Sequence, residues 1–191
     1  MSVDEMKAEV GVEVATVDIF RVEDEEGRGV YTSDLGYRAG IVGVACQGHP
    51  LPHDDGLYRV VGSEYFGFAS VEQLGQWFRP YLSELEAAGG VITVYTVPAD
   101  AARHGGRQSV FLREQTLSKR PMTWQEFRSA IPSDFEQGRM DRQEVNPALT
   151  AELFMRARYG MGEHLSEEWY RGWLAADAEQ LEESLKSLKD T

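Results

Sequence analysis

The stretch Tyr65-Phe66-Gly67-Phe68-Ala69-Ser70-Val71-Glu72-Gln73-Leu74-Gly75-Gln76-Trp77-Phe78 decides the fold, because it reads as a short aromatic strand running straight into a capped amphipathic helix. Ser70 stands at the N-cap, where its hydroxyl accepts a backbone N–H, and Gln73 is placed to return a bond to the Ser70 N–H. Val71, Leu74, Trp77, Phe78, Tyr81, Leu82 and Leu85 recur at helical spacing, so one side of the helix is buried. Gly89 and Gly90 end it.

Outward from this unit the chain reads as strands. Val91 to Val97, bounded by Gly90 and Pro98, is rich in β-branched residues, and Gln108 to Arg113 resumes extended structure after a connection over 98–106. Upstream, Val14 to Val22 is apolar enough to be a central strand. It runs into the acidic turn Glu23-Asp24-Glu25-Glu26-Gly27-Arg28-Gly29, whose two glycines can take positive φ. Residues 32–64 are the least regular part, carrying six glycines and Pro50 and Pro52. These signals predict an α+β fold in which a small, mostly antiparallel sheet carries one main packed helix over residues 1–118.

From Pro121 onward the pattern turns helical, which predicts a C-terminal helical region over residues 119–191 packed on the first domain. Thr123 and Glu126 form a capping box before Phe127 and Ile131, with Pro132 stopping that helix. Asn146 and Pro147 open a segment reaching Gly160. Ser166 opens the last helix, with Glu167 and Glu168 in its first turn and Lys186 and Lys189 in its last, as the helix dipole favours. Tyr170, Trp173, Leu174, Leu181, Leu185 and Leu188 form its apolar stripe, while Asp177, Glu179, Glu182 and Glu183 line the other side. Such a stripe serves either to pack on the sheet domain or as a partner surface, including a homodimer contact.

Charge is the strongest compositional clue. The 191 residues hold 19 Lys and Arg against 32 Asp and Glu, a net charge of -13. Acids predominate at both ends: 9 against 3 bases in residues 1–30 and 14 against 8 in residues 121–191, while residues 31–120 hold 9 against 8. This balance opposes direct contact with nucleic acid or anionic lipid. No apolar run approaches the roughly 18 residues of a membrane span, and the first residues lack the basic start and apolar run of a secretory signal. The single Cys46 fits a reducing compartment, so the expected location is the cytoplasm.

Motifs of common enzyme chemistry are missing from the sequence: there is no phosphate loop, zinc-ligand quartet, nucleophile elbow or dinucleotide fingerprint. The run His49-Pro50-Leu51-Pro52-His53-Asp54-Asp55 gathers ligand residue types, but its prolines forbid a helix that would align the two imidazoles, and it reads as a stiffened polar turn. Cys46, beside Val44 and Ala45, reads as a small buried residue. Neither a metal nor a cofactor is expected.

Two resemblances stand beside these readings. Phe20-Arg21-Val22-Glu23 before a Gly-x-Gly-x-Tyr turn, His49-Pro50-x-Pro52, Phe66-Gly67-Phe68 leading to Leu74 and Trp77-Phe78, Val94-Tyr95-x-Val97-Pro98 and Gln108-x-Val110-Phe111 together resemble small uncharacterised proteins of tailed phages and prophages, over residues 17–113. The resemblance implies a phage setting, and together with the net charge of -13 it makes the expectation an acidic phage accessory protein acting by protein–protein binding. The expected role is a nucleic-acid mimic that inhibits a host nucleic-acid-handling or defence protein, such as a CRISPR or restriction system. Its contacts to a basic host surface would be Glu23, Asp24, Glu25, Glu26, Asp177, Glu179, Glu182 and Glu183. The second resemblance is to the ADP-ribosyltransferase fold, with Arg21 on an early strand and Ser70 on a later one. It implies an NAD-binding protein or enzyme with a cleft near Arg21, Tyr31 and Ser70, while Arg107-Gln108-Ser109 stands where the catalytic glutamate belongs, a departure that a binding-only relative would survive.

Overall fold

The computed structural model describes residues 14–41, 49–144, 150–151, 153–154 and 166–189. In chain order these form β1 (Thr16–Glu23), α1 (Leu35–Arg38), β2 (Glu64–Gly67), α2 (Val71–Phe78), α3 (Leu82–Ala87), β3 (Val91–Pro98), β4 (Ala102–His104), β5 (Ser109–Leu112), β6 (Ser118–Met122), α4 (Trp124–Ala130), α5 (Asp134–Gln143) and α6 (Glu167–Lys189). The fold is α+β, and its antiparallel strands make two three-stranded sheets, β1-β3-β6 and β2-β5-β4. In the first sheet Ile19 pairs with Tyr95 and Val94 with Arg120; in the second Phe66 pairs with Val110.

The sheets meet where Phe20 and Phe68 exchange two backbone hydrogen bonds of 2.8 Å. Gly67 makes this crossing possible, since a Cβ there would lie 3.0 Å from the Phe20 carbonyl oxygen and overlap Ile19 Cγ2. One core lies under α2 and α3, where Val22, Leu35, Ile41, Phe68, Leu74, Phe78, Leu85, Ile92 and Phe127 are buried. A second packs Ile19, Tyr95, Val97 and Phe111. Alternation along β1 serves both: Phe20 and Val22 meet the helices, while Ile19, Arg21 and Glu23 share the opposite face.

Several expectations change in detail. The helix after Ser70 is not continuous: Pro80 lies in a 3₁₀ turn, Arg79–Tyr81, that separates α2 from α3. The Ser70 hydroxyl accepts from the Gln73 N–H at 3.2 Å, but the Gln73 side chain accepts from Ala69 N–H, one residue before the expected donor. The sheet runs past Ser118, because β6 pairs with β3 despite carrying Pro121 and four exposed residues. As an edge strand it tolerates a missing donor. Thr123 and Glu126 do form the expected capping box. Ser133 and Glu136 form another, which opens α5, a helix that the polar run Asp134 to Gln143 conceals from periodicity.

The apolar stripe of α6 divides. Trp169, Trp173 and Ala176 are buried, the two tryptophans clustering with Phe154, and α6 packs chiefly on α5. Leu174, Leu181 and Leu185 remain exposed. Close approach of the two helices depends on Gly138 and Gly172: a Cβ on either would overlap the Trp169 or the Phe135 carbonyl oxygen of the facing helix. The segment opened by Asn146 and closed at Gly160 lies largely outside the described residues, as does Cys46. Among the described residues no helix is long and apolar enough to cross a membrane.

Candidate functional site

At the junction of the two sheets, the turn after β1 faces β2 and α2 across a cleft of about 800 Å³. This lies within the roughly 300–1,000 Å³ of small-molecule sites. Arg21, Arg28 and Arg113 supply its cations, Glu26 and Glu64 its carboxylates, Gly27 to Tyr31 form one wall, and Tyr65, Phe66, Phe68, Trp77 and Phe78 supply aromatic surface.

Arg21 projects from the middle of β1 and is 7% exposed. Its Nε donates to Glu23 at 3.2 Å and its Nη1 to the Phe66 carbonyl. Nη2 makes no hydrogen bond among the described residues. It lies against Gly29, where a Cβ would overlap it, so Gly29 is needed for space. Burial lowers the Arg21 pKa from the ordinary arginine value, opposed first by the charge of Glu23. Arg113 follows β5, donates through Nη1 to the Gly27 carbonyl at 2.8 Å, and lies 5.2 Å from the Tyr65 ring centroid, with Arg21 at 5.6 Å from the same ring. Gly27, at φ +77°, turns the chain over this guanidinium.

Beneath the arginines, Tyr95 Oη donates to the Glu23 carboxylate, lying 2.8 and 3.0 Å from its two oxygens. Burial, followed by that bond, pushes the Tyr95 pKa up to about 12. At the far side the Trp77 indole N–H donates to Tyr31 Oη at 3.0 Å, and Tyr31 Oη lies 3.1 Å from His49 Nδ1. The His49 ring stacks on Trp77 with centroids 3.9 Å apart. Burial lowers its pKa to about 4, so the imidazole is neutral at pH 7.

The structure brings Arg21 and Tyr31 together on this cleft, whereas Ser70 is spent on capping α2 and does not line it. Gln108 does line it, with its side chain donating to the Pro50 carbonyl. Arg113, Tyr65 and Trp77 stand out in the sequence only as members of strands and a helix; their convergence comes from how the two sheets meet.

The eight carboxylates of the expected docking surface are used differently from one another. Glu23 and Asp24 are buried, and Asp24 accepts from Arg28 Nε at 2.8 Å. Glu26 pairs with Arg28, Asp177 with Arg142 and Glu179 with Arg139. Glu25, Glu182 and Glu183 are exposed without an ion-pair partner among the described residues. The acidic turn also borders a groove of about 270 Å³ shared with Arg113, Lys119 and Arg120, which offsets its charge locally. Glu23 and Asp24 therefore act inside the fold and are not surface contacts in this conformation. Among the described residues no group of three His, Cys, Asp or Glu is arranged to hold a metal ion.

No curated protein and no solved structure matches the chain. The family model of the bacteriophage T4 Y00F protein matches residues 6–125, a span that takes in both sheets, the arginine-lined cleft and the first helix cap of the C-terminal region. On that match, which covers more than half of its length, the chain belongs to the bacteriophage T4 Y00F protein family.

Proposed function

We propose that this phage-family protein acts by binding, and that the cleft takes a nucleotide-class ligand, with NAD among the candidates. The observation that carries this reading is Arg21: a guanidinium 7% exposed, lining the cleft, with one amino group lacking a hydrogen-bond partner among the described residues. A buried cation with a free donor suits a phosphate or carboxylate, which accepts charge-assisted hydrogen bonds. The neighbouring rings of Tyr65 and Phe66 suit a planar base. The carboxylates that line the cleft, Glu26 and Glu64, are paired with Arg28 and Arg103, so the reading is binding without group transfer.

The test is a thermal-shift and calorimetric series with NAD, ADP and pyrophosphate on the whole chain and on Arg21→Met and Arg113→Met. Binding by the native chain that weakens at least tenfold in both variants supports the reading. Absence of binding by all three probes at millimolar concentration removes it. Incubation with labelled NAD and cell extract separates binding from transfer, the expected result being no transferred label.

A second reading is favoured by the unpaired, exposed Glu25, Glu182 and Glu183 on a chain of net charge -13. In it the protein works in the infected cell's cytoplasm as an inhibitor that occupies the basic surface of a host nucleic-acid-handling or defence protein. Replacing the three glutamates with lysine then abolishes salt-sensitive capture of that protein, and capture unchanged by the replacement rejects this reading.

A further inference from the structure

We infer that Gln108 is the residue by which the cleft recognises the base of its ligand: its Oε1 accepts an N–H from the edge of a base lying on Phe66. This rests on the reading that the cleft binds a nucleotide, and it concerns the part of that ligand which the arginines leave unread. Gln108 is 6% exposed and lines the cleft. Its Nε2 donates to the Pro50 carbonyl at 3.1 Å, and its backbone N–H donates to Asp55 at 2.8 Å. The bond to Pro50 fixes which end of the amide is nitrogen, so Oε1 is the group that Gln108 has left for the cleft. It accepts no hydrogen bond among the described residues. An acceptor on so buried a side chain is costly to leave unmet, and a ligand N–H meets it.

Phe66 decides between a base and a sugar as the source of that donor. Phe66 pairs with Val110, which stands two positions after Gln108, so Phe66 and Gln108 are diagonal neighbours on one side of the sheet. Phe66 is 39% exposed and makes no ring contact among the described residues. Tyr65, by contrast, already carries Arg21 and Arg113 against its ring. Phe66 is therefore the ring open to a flat ligand. A base stacked on an aromatic side chain and read at its edge by a polar group is a common mode of recognition, and a sugar has no planar face to stack.

The spacing of the two ends agrees. Gln108 precedes β5 and Arg113 follows it. Five extended steps at about 3.3 Å each separate their backbones by roughly 17 Å. A free phosphate that meets the arginines leaves Gln108 unoccupied, whereas a nucleoside diphosphate brings phosphate to one end and base to the other.

The experiment is isothermal calorimetry of the whole chain with ADP, with purine riboside 5′-diphosphate and with pyrophosphate. The second probe is ADP with hydrogen in place of the amine, so it keeps the rings and the phosphates but has no base N–H. The native chain is expected to bind ADP about tenfold or more tighter than purine riboside diphosphate, as when a buried acceptor goes unmet. Gln108→Leu is expected to bind the two alike, a ratio that a merely structural change would not move. Phe66→Leu is expected to lower the affinity for ADP relative to pyrophosphate. Equal native affinity for ADP and purine riboside diphosphate, a preference that survives in Gln108→Leu, or an unchanged ratio in Phe66→Leu would each overturn the inference while the nucleotide reading stands. Failure of ADP and pyrophosphate alike to bind the native chain removes that reading and this inference with it.

Discussion

Arg79 Nη1 lies 2.6 Å from Asp134 Oδ1, joining the turn between α2 and α3 to the first residue of α5. The same guanidinium donates to the Pro132 carbonyl at 3.0 Å, and Asp134 in turn accepts from the Ser166 hydroxyl at the start of α6. One ion pair thus ties the sheet domain to both long helices. Arg79 has a side chain only 3% exposed and its Nε lacks an acceptor, so its charge depends on these few bonds. Asp134→Ala is expected to destabilise the protein by about 1–3 kcal/mol, less than a fully buried pair because Asp134 is partly solvated. In an Arg79→Met background the same change should cost much less. Urea unfolding of the four proteins measures the coupling.

Gly138→Ala and Gly172→Ala test the contact between α5 and α6. Each added methyl would overlap a backbone carbonyl that cannot rotate away, so the helices must separate. Overpacking of this kind costs about 1–3 kcal/mol or more. Because the buried Trp169 and Trp173 sit at this crossing, their fluorescence should shift to the red, whereas Gly62→Ala, where the new Cβ meets open space, should change neither quantity.

The stacked His49 predicts a pH dependence. Its folded pKa of about 4 lies below the ordinary 6.5, so the unfolded chain takes up the proton first as the pH falls. The stability that a neutral, buried imidazole contributes is therefore whole above pH 6.5 and is lost progressively between pH 6.5 and pH 4. The full loss is on the order of 3 kcal/mol. Urea midpoints at pH 7.5 and 5 should fall further apart for the native chain than for His49→Phe, which keeps a ring against Trp77 but binds no proton. Equal pH dependence in the two would exclude His49 as the source.

Tyr95→Phe removes one of the donors that hold Glu23, leaving Arg21 as its main partner. A loss of about 1–2 kcal/mol is expected from the unmet carboxylate. Glu23→Leu should cost more, because it strips the buried Arg21 of its counter-charge. If Tyr95→Phe proves neutral in thermal unfolding, the network beneath the cleft does not bear on stability.

Local chemistry was legible in the sequence wherever a few adjacent residues decide it. The caps at Ser70, Thr123 and Ser166, the β-branched strand Val91 to Pro98 and the positive φ of Gly27 all follow from side-chain hydrogen bonding or backbone sterics within a turn or two. What the tertiary structure decided was everything that needs two distant segments to meet. Arg21 and Arg113 stand 92 positions apart, yet both come within 6 Å of the Tyr65 ring. The acidic turn reads as a solvated cluster, but Glu23 and Asp24 turn inward because Tyr95, Arg21 and Arg28 offer donors there. The leucines of α6 read as either a packing stripe or a partner surface, and α5 does not reach to cover Leu174, Leu181 or Leu185. Helical periodicity shows which residues share a face, while burial depends on which element arrives to cover that face, and that information is not local to the helix.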